Sequence, residues 1–305
     1  MMEFLTDPWG WWIAPFADNQ FMRDALLAGI LTVITTSLVG TWVVLRGMSF
    51  LGDALAHGVL PGIAVAFIIG VDTTIGAFVA AGAMVFGISV IRRYSPLPDD
   101  TSIGVLFVGF LALAVVIMST QQASYVGDLN RFLFGSITGV SDADLIRQAI
   151  AALIALVGVV VLYRAFLVMT FDASLARMLG LRPGFAQWAL LVLLAVSIVS
   201  SFKSVGNLLV FAFLIAPPAA ATLIARRVPV IMVVSVLLGT LATVVGILIS
   251  YHFDSATSAT MALCSVVVFF VVLAGSAVSR AWTSRVTPAP GTGVTGQGRQ
   301  SAQRP

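Results

Sequence analysis

An acidic residue and a histidine lie four positions apart in an apolar stretch of this sequence. Asp53 and His57 occur in the segment Ser49-Phe-Leu-Gly-Asp-Ala-Leu-Ala-His-Gly-Val-Leu-Pro-Gly. Side chains four residues apart share one face of a helix, with Cβ atoms about 5–6 Å apart. Ionisable residues inside a membrane cost about 2.5–3.5 kcal/mol or more, and they mark functional sites by default. We therefore predict that Asp53 and His57 contact one divalent cation.

The two ligand types restrict the metal without identifying it. A carboxylate oxygen with a neutral imidazole nitrogen suits manganese, iron(II) or zinc, and without thiolates it does not favour copper(I). Pro61, one turn beyond His57, predicts a weakened helix whose freed carbonyls could join the coordination. Two alternatives stay open at this point. The pair could be an internal hydrogen bond that only neutralises two buried polar groups, or it could be a proton relay.

The composition is that of an integral membrane protein. Of 305 residues, 59% are hydrophobic and only 10% are charged, whereas globular domains carry about 25% charged residues. The formal net charge of +3 comes from basic residues spread thinly over the chain. They lie at the ends of apolar segments and form no patch interleaved with aromatic residues, which excludes a nucleic-acid-binding protein.

The apolar runs predict an all-α, polytopic fold with about nine transmembrane helices. Each run approaches the 20 or so residues that a bilayer requires. Because the sixth and seventh runs are short and adjacent, eight full spans are the alternative. The predicted spans are 25–45, 49–71, 73–91, 101–119, 145–163, 186–202, 205–225, 230–250 and 259–280.

The distribution of arginines predicts the orientation. With nine spans and an external N-terminus, most of the 16 Lys and Arg residues fall on the cytoplasmic side, as the positive-inside rule requires. We therefore expect an extracytoplasmic N-terminal segment (1–21), a transmembrane domain (22–282) and a disordered cytoplasmic tail (283–305). The protein is expected in the plasma membrane with a cytoplasmic C-terminus.

A second candidate segment lies in a predicted cytoplasmic loop. Asp172 is a good N-cap, Gly180 a good helix stop, and Pro183 prevents continuation. The pattern predicts a short amphipathic helix that docks into a groove of a partner or lies on the lipid surface. The candidate contact residues are Asp172, Leu175, Ala176, Arg177, Met178, Leu179 and Gly180.

A third segment places two prolines inside an apolar span. Pro217 and Pro218 remove backbone hydrogen bonds, which predicts a kinked helix that lines a pathway, with Asn207 as a polar contact. A purely structural kink is the alternative. His252 and Asp254 lie in a predicted outer loop, where they could receive an ion or simply be solvated.

The missing motifs limit the function classes. Lys203 is the only lysine, and it does not follow the glycine pattern of a phosphate-binding loop. If ATP drives this protein, another subunit must bind it. Two histidines without a His-Glu-x-x-His motif also argue against an intramembrane metalloprotease. We therefore predict a transport protein and not an enzyme.

Several of these segments resemble the permease subunits of ABC importers for manganese, zinc or iron. The resemblance rests on residues 43–48, which lead into Gly52-Asp53-Ala54-Leu55-Ala56-His57-Gly58-Val59-Leu60-Pro61-Gly62. It continues through 100–106, 134–137, 171–181 and 206–221. The sequence departs from the family pattern after Asp254, where Ala256 and Ser258 replace the more usual Pro and Gly, at Pro218 and at Lys203.

The resemblance implies an ABC importer permease fold, assembled as a homodimer on two cytoplasmic ATP-binding subunits. An extracytoplasmic metal-binding protein would deliver the ion, Asp53 and His57 would line its path, and the 171–181 helix would contact the ATPase. No cofactor is expected to be bound permanently, and the cargo is Mn²⁺ or Zn²⁺, with manganese favoured. The alternative is a proton-driven secondary metal transporter, although it would need further acids within the spans.

Overall fold

The structure is a computed structural model that describes residues 8–94, 99–119, 139–172, 176 and 178–286. Its first helices are α1 Pro8–Trp12, α2 Ala14–Asp18, α3 Gln20–Leu45, α4 Ser49–Gly58, α5 Leu60–Ile69, α6 Thr73–Tyr94 and α7 Asp99–Ser119. The remaining helices are α8 Asp142–Val161, α9 Tyr163–Phe171, α10 Pro183–Val205, α11 Asn207–Ile224, α12 Val228–Phe253 and α13 Thr257–Val286.

The predicted all-α polytopic fold is confirmed. Among the described residues, nine helices are long and apolar enough to cross a membrane, with α4 and α5 counted as one span. The sixth and seventh spans are the separate helices α10 and α11. They are divided at Gly206, whose φ of +85° is a conformation that L side chains rarely adopt.

Two sets of contacts define the edges of the helix bundle. At one edge, called the first edge here, Arg147 near the start of α8 pairs with Asp72 just before α6. At the other, called the second edge, Arg46 after α3 hydrogen-bonds to Gln187 near the start of α10. Because successive spans run in opposite directions, the starts of α6 and α8 lie at the first edge, whereas the end of α3 and the start of α10 lie at the second edge. The distribution of arginines predicts that the first edge is extracytoplasmic.

The core lies around α3, which packs on α8, α10, α11 and α12. Trp42 is fully buried and meets Phe166 of α9 edge to face. Small residues allow the closest approaches: a methyl group on Gly40 would overlap the carbonyl oxygen of Leu214 in α11. Since lipid provides no hydrophobic drive for helix association, such contacts supply the packing that holds membrane helices together.

The outermost helices expose large apolar side chains. Leu263, Phe270 and Val271 of α13 are each more than half exposed. Such a surface suits contact with lipid or with another subunit. The predicted domain bounds of 1–21, 22–282 and 283–305 stay predictions. α13 extends to Val286, and the remainder of the predicted tail lies outside the described residues.

Candidate metal site

Helix α4 directs Asp53 and His57 to its one open face. Gly52, Ala54 and Ala56 are buried, because they face the neighbouring helices. The side chains of Asp53 and His57 are each 28% exposed. The four-residue spacing therefore places both groups on one partly exposed stripe of the helix, which Phe50 also joins.

The acid and the imidazole contact each other directly. Nδ1 of His57 lies 3.2 Å from Oδ1 of Asp53 and 3.1 Å from the backbone oxygen of Asp53. Because a carbonyl oxygen can only accept, a hydrogen bond to it requires a proton on Nδ1, and in the neutral imidazole the lone pair of Nε2 is then available. A carboxylate that orients a histidine in this way is common behind metal-binding imidazoles.

The same distance also allows chelation by both side chains. Ligand atoms bonded at about 2.1 Å lie about 3.0 Å apart at a right angle and about 3.4 Å apart at the tetrahedral angle. The 3.2 Å between Oδ1 and Nδ1 lies between these values. The pair can therefore hold one ion either through Oδ1 and Nδ1 together, once Nδ1 loses its proton, or through Nε2.

Two ligands do not complete a coordination sphere. Within the described part of the chain, no group of three or more His, Cys, Asp or Glu side chains could hold a metal ion. Tetrahedral or octahedral ions take four to six donors. Water, backbone carbonyls or a second molecule must therefore supply the others.

A helix break follows the pair directly. α4 ends at Gly58 and α5 begins at Leu60, with Val59 between them. Pro61 has no N–H and cannot make the helical hydrogen bond to the carbonyl of His57, which instead receives the N–H of Val59. The break therefore begins before Pro61, directly after the helix turn that carries the imidazole.

Phe107 of α7 is a site residue that the sequence analysis missed. Its ring centroid lies 5.8 Å from that of His57 at an interplanar angle of 87°, and 5.7 Å from that of Phe50. The contact limits rotation of the imidazole. No spacing rule connects residues 57 and 107, because only the packing of α7 on α4 brings them together.

The proline-containing helix α11 packs against the ligand helix. Pro217 and Pro218 lie inside α11 and are buried. The N–H groups that they lack would have bonded to the carbonyls of Phe213 and Leu214. Gly40 lies against the Leu214 carbonyl, and the Leu214 side chain occupies the space where a methyl group on Gly52 would stand. α11 thus contacts α4 one residue before Asp53.

Asn207 is the first residue of α11 and is only 5% exposed. Its Oδ1 finds no hydrogen-bond partner among the described residues. The N-terminus of α11 therefore carries a buried acceptor without a hydrogen bond from the described residues. The assignments of Asn207, Pro61, Pro217 and Pro218 to a pathway or hinge stay predictions.

The loop after α9 is described only in part. Asp172 is extended and its carbonyl accepts the N–H of Ala176 at 3.1 Å, while Gly180 has a φ of +71°. Leu175 and Arg177 lie outside the described residues. Met178 is 84% exposed and Leu179 is 59% exposed. An apolar side chain so exposed suits contact with a partner or with lipid, and both alternatives stay open.

His252 takes part in a different contact. Its ring stacks on Trp11 with centroids 4.4 Å apart and planes 10° from parallel. Its Nε2 lies 3.3 Å from the backbone oxygen of Trp11. Asp254 ends α12 with a φ of +50°. These contacts anchor α1 to the end of α12.

Comparisons with known proteins agree with this architecture. The family model described as the ABC 3 transport family matches residues 18–276. The manganese transport system membrane protein MntC of Listeria monocytogenes is 34% identical over 252 residues, which cover 83% of this chain and 89% of that protein. The chelated iron transport system membrane protein YfeD of Yersinia pestis is 36% identical over 259 residues, covering 85% of this chain and 86% of its own length.

A solved structure extends the agreement to three dimensions. The structure of PsaBC from Streptococcus pneumoniae in complex with Fab superposes with a TM-score of 0.75 at 34% identity. It covers 85% of this chain and 95% of that chain. These relatives are membrane subunits of transport systems and not enzymes. The chain therefore belongs to the ABC 3 transport family, as a membrane-spanning permease subunit.

Proposed function

We propose that this permease subunit imports a divalent transition metal ion, with manganese favoured over zinc, and that the ion passes Asp53 and His57. The observation that carries the proposal is the contact between carboxylate and imidazole on a half-exposed face of a membrane helix. The relatives named for manganese and for chelated iron support a metal cargo. Iron(II) is accordingly the competitor that a transport assay must include.

A second copy of the chain would complete the coordination sphere. One chain offers two side-chain ligands on an open stripe, and a twofold-related copy facing it would bring two more. Two ligands per chain also suit transport, because a pathway site must release the ion that it admits. We therefore propose a permease homodimer with the metal between its two α4 helices.

We propose that separate ATP-binding subunits drive transport through this site. The loop with Met178 and Leu179 lies beyond α9 on the predicted cytoplasmic side and exposes both side chains. An exposed methionine is adaptable and suits a partner's apolar groove. At the opposite edge, an extracytoplasmic metal-binding protein would deliver the ion.

Metal uptake by a ligand-free variant tests the proposal. In cells that carry the complete importer, the double substitution Asp53→Ala with His57→Ala should abolish uptake of manganese, because no side-chain donor remains on the stripe. Assembly with the ATP-binding subunits should be unchanged. The matched control is Asp254→Ala with His252→Ala, which removes the same two residue types at the end of α12. Normal uptake by the first double variant would remove the site from the pathway.

Reconstitution distinguishes ATP-driven import from the proton-driven alternative. The full chain alone in proteoliposomes should not accumulate manganese under a proton gradient. Accumulation without any ATP-binding subunit would favour a secondary transporter.

A further inference from the structure

Side chains from four parts of the chain meet at the second edge of the bundle, beside the start of the ligand helix α4. Arg46 follows α3, Met48 is the N-cap residue of α4, Arg92 lies near the end of α6, and Gln187 lies near the start of α10. Nη1 of Arg46 donates to Oε1 of Gln187. Two N–H donors approach Sδ of Met48: Nη2 of Arg92 at 3.7 Å and Nε2 of Gln187 at 4.0 Å.

Met48 is built into the junction between α3 and α4. Its side chain is only 5% exposed. Its N–H donates to the carbonyl of Val43 at 3.0 Å, and its carbonyl accepts the N–H of Leu51 at 3.0 Å. The first bond closes the end of α3 and the second begins the first turn of α4. A shift of the Met48 side chain must therefore shift the start of α4 as well.

The contacts with the sulfur of Met48 are too weak to hold the fold together. A thioether is a poor hydrogen-bond acceptor, and the apolar core around Met48 stabilises this region. Leucine would fill the same position with little loss of stability, because it has a similar volume. What the two N–H donors add is alignment, since they bring the start of α10 and the end of α6 against one side chain of the ligand helix.

Helix α10 begins directly after the exposed loop that contains Met178. The N–H of Leu181 donates to the carbonyl of Ala176 at 3.0 Å, and α10 starts at Pro183. Gln187 therefore follows Met178 by nine residues, of which the last belong to the first turn of α10. A displacement of the loop reaches Gln187 through this short connection.

The helix pair α10 and α11 contacts α4 at a second point. α11 follows α10 after a single residue, and the side chain of Leu214 occupies the space where a methyl group on Gly52 would stand. Met48 and Gly52 are one helical turn apart. The ligands Asp53 and His57 lie about 7.5 Å and 13.5 Å beyond Met48 along the helix axis. Both contacts therefore act on α4 immediately before the metal pair.

We propose that Gln187, acting through Met48, links the exposed loop to the ligand helix, so that a movement of the loop reorients Asp53 and His57. Coupling between distant sites is carried by packed side chains and rigid elements, and α10 and α4 are such elements. Gln187 and Met48 are positioning residues, because they act on the ligands through α4. The inference rests on the proposed function, in which an ATP-binding subunit contacts the loop.

The ratio of manganese uptake to ATP hydrolysis tests this link. The complete importer in proteoliposomes allows both rates to be measured in the same vesicles. Gln187→Ala removes the contacts with Arg46 and Met48, and it should lower the manganese taken up per ATP by at least about fivefold, the low end of coupling between distant sites. Co-purification of the ATP-binding subunits and the Mn²⁺ affinity of the purified full chain should stay as in the wild type.

A second variant tests the role of the sulfur. Met48→Leu retains the volume of the side chain but removes the acceptor, and it should also lower the uptake per ATP. Its control is Met169→Leu, at a buried methionine of α9. The control for Gln187→Ala is Gln20→Ala, at an exposed glutamine that begins α3 at the first edge. Both controls should keep the wild-type ratio.

Three results would overturn the inference. The first is a wild-type ratio in Gln187→Ala or in Met48→Leu. The second is a loss of Mn²⁺ affinity in Gln187→Ala that matches its loss of uptake, because Gln187 would then only maintain the structure of the site. The third is an absence of uptake by the wild-type importer, which would contradict the proposed function and this inference together. An unchanged ratio in Gln187→Ala beside normal wild-type uptake would contradict the inference alone.

Discussion

At the residue scale, the proposed metal site depends on how the His57 ring is held. Asp53 fixes one ring nitrogen at 3.2 Å, and Phe107 packs edge to face against the ring. The four-residue spacing predicted that Asp53 and His57 share a face, because helix geometry alone determines it. The same spacing carried no information on Phe107. Its approach depends on tertiary packing between α4 and α7.

Removing Phe107 should weaken metal binding without abolishing transport. An edge-to-face aromatic pair contributes about 0.5–1.5 kcal/mol, so Phe107→Ala should raise the KM for manganese by about two- to tenfold, with the maximal rate nearly unchanged. Uptake kinetics in cells or proteoliposomes would measure this. Phe110→Ala, one turn along α7, is the control for lost packing. An equal rise in KM for both variants would show that Phe107 has no specific role beside His57.

At the element scale, α5, which follows the break after α4, crosses α6 at close distance. A methyl group on Gly62 would overlap the carbonyl of Gly76, and the reverse is also true. The sequence predicted a break near Pro61. It could not show that Leu214 lies against Gly52, because that contact joins residues far apart in the chain.

Gly62→Ala should destabilise the protein through this crossing. Overpacking costs about 1–3 kcal/mol, so the melting temperature of the purified chain should fall. Gly82→Ala is the matched control, because a methyl group on Gly82 meets no atom within 4 Å and alanine favours helix. A thermal unfolding series in one detergent would compare the two variants. Equal melting temperatures would contradict the packing at Gly62.

At the scale of the whole molecule, composition predicted the fold class well. Within the part of the chain that the structure describes, the nine apolar runs become nine candidate spans, because the bilayer imposes helix length and leaves little freedom. Composition could not predict the ion pair of Arg147 with Asp72 or the stacking of His252 on Trp11. Both arise where separate helices meet at an edge of the bundle.

The second edge of the bundle should carry the contact with the ATP-binding subunits. Met178→Glu places a charge on a side chain that is 84% exposed and should greatly reduce co-purification of those subunits, because an apolar groove disfavours a carboxylate. Tyr251→Glu, at the end of α12 on the opposite edge, is the control. Unchanged co-purification with Met178→Glu would assign this side chain to the lipid surface instead.

Pulsed electron paramagnetic resonance of Mn²⁺ bound to the purified full chain shows directly whether His57 ligates the metal. Because the chain has only two histidines, coupling to a directly bound imidazole nitrogen has two possible sources. We predict that this coupling is present in the wild type and in His252→Ala, and that it is absent in His57→Ala. A nitrogen coupling that survives in His57→Ala would show that His57 is not the metal ligand.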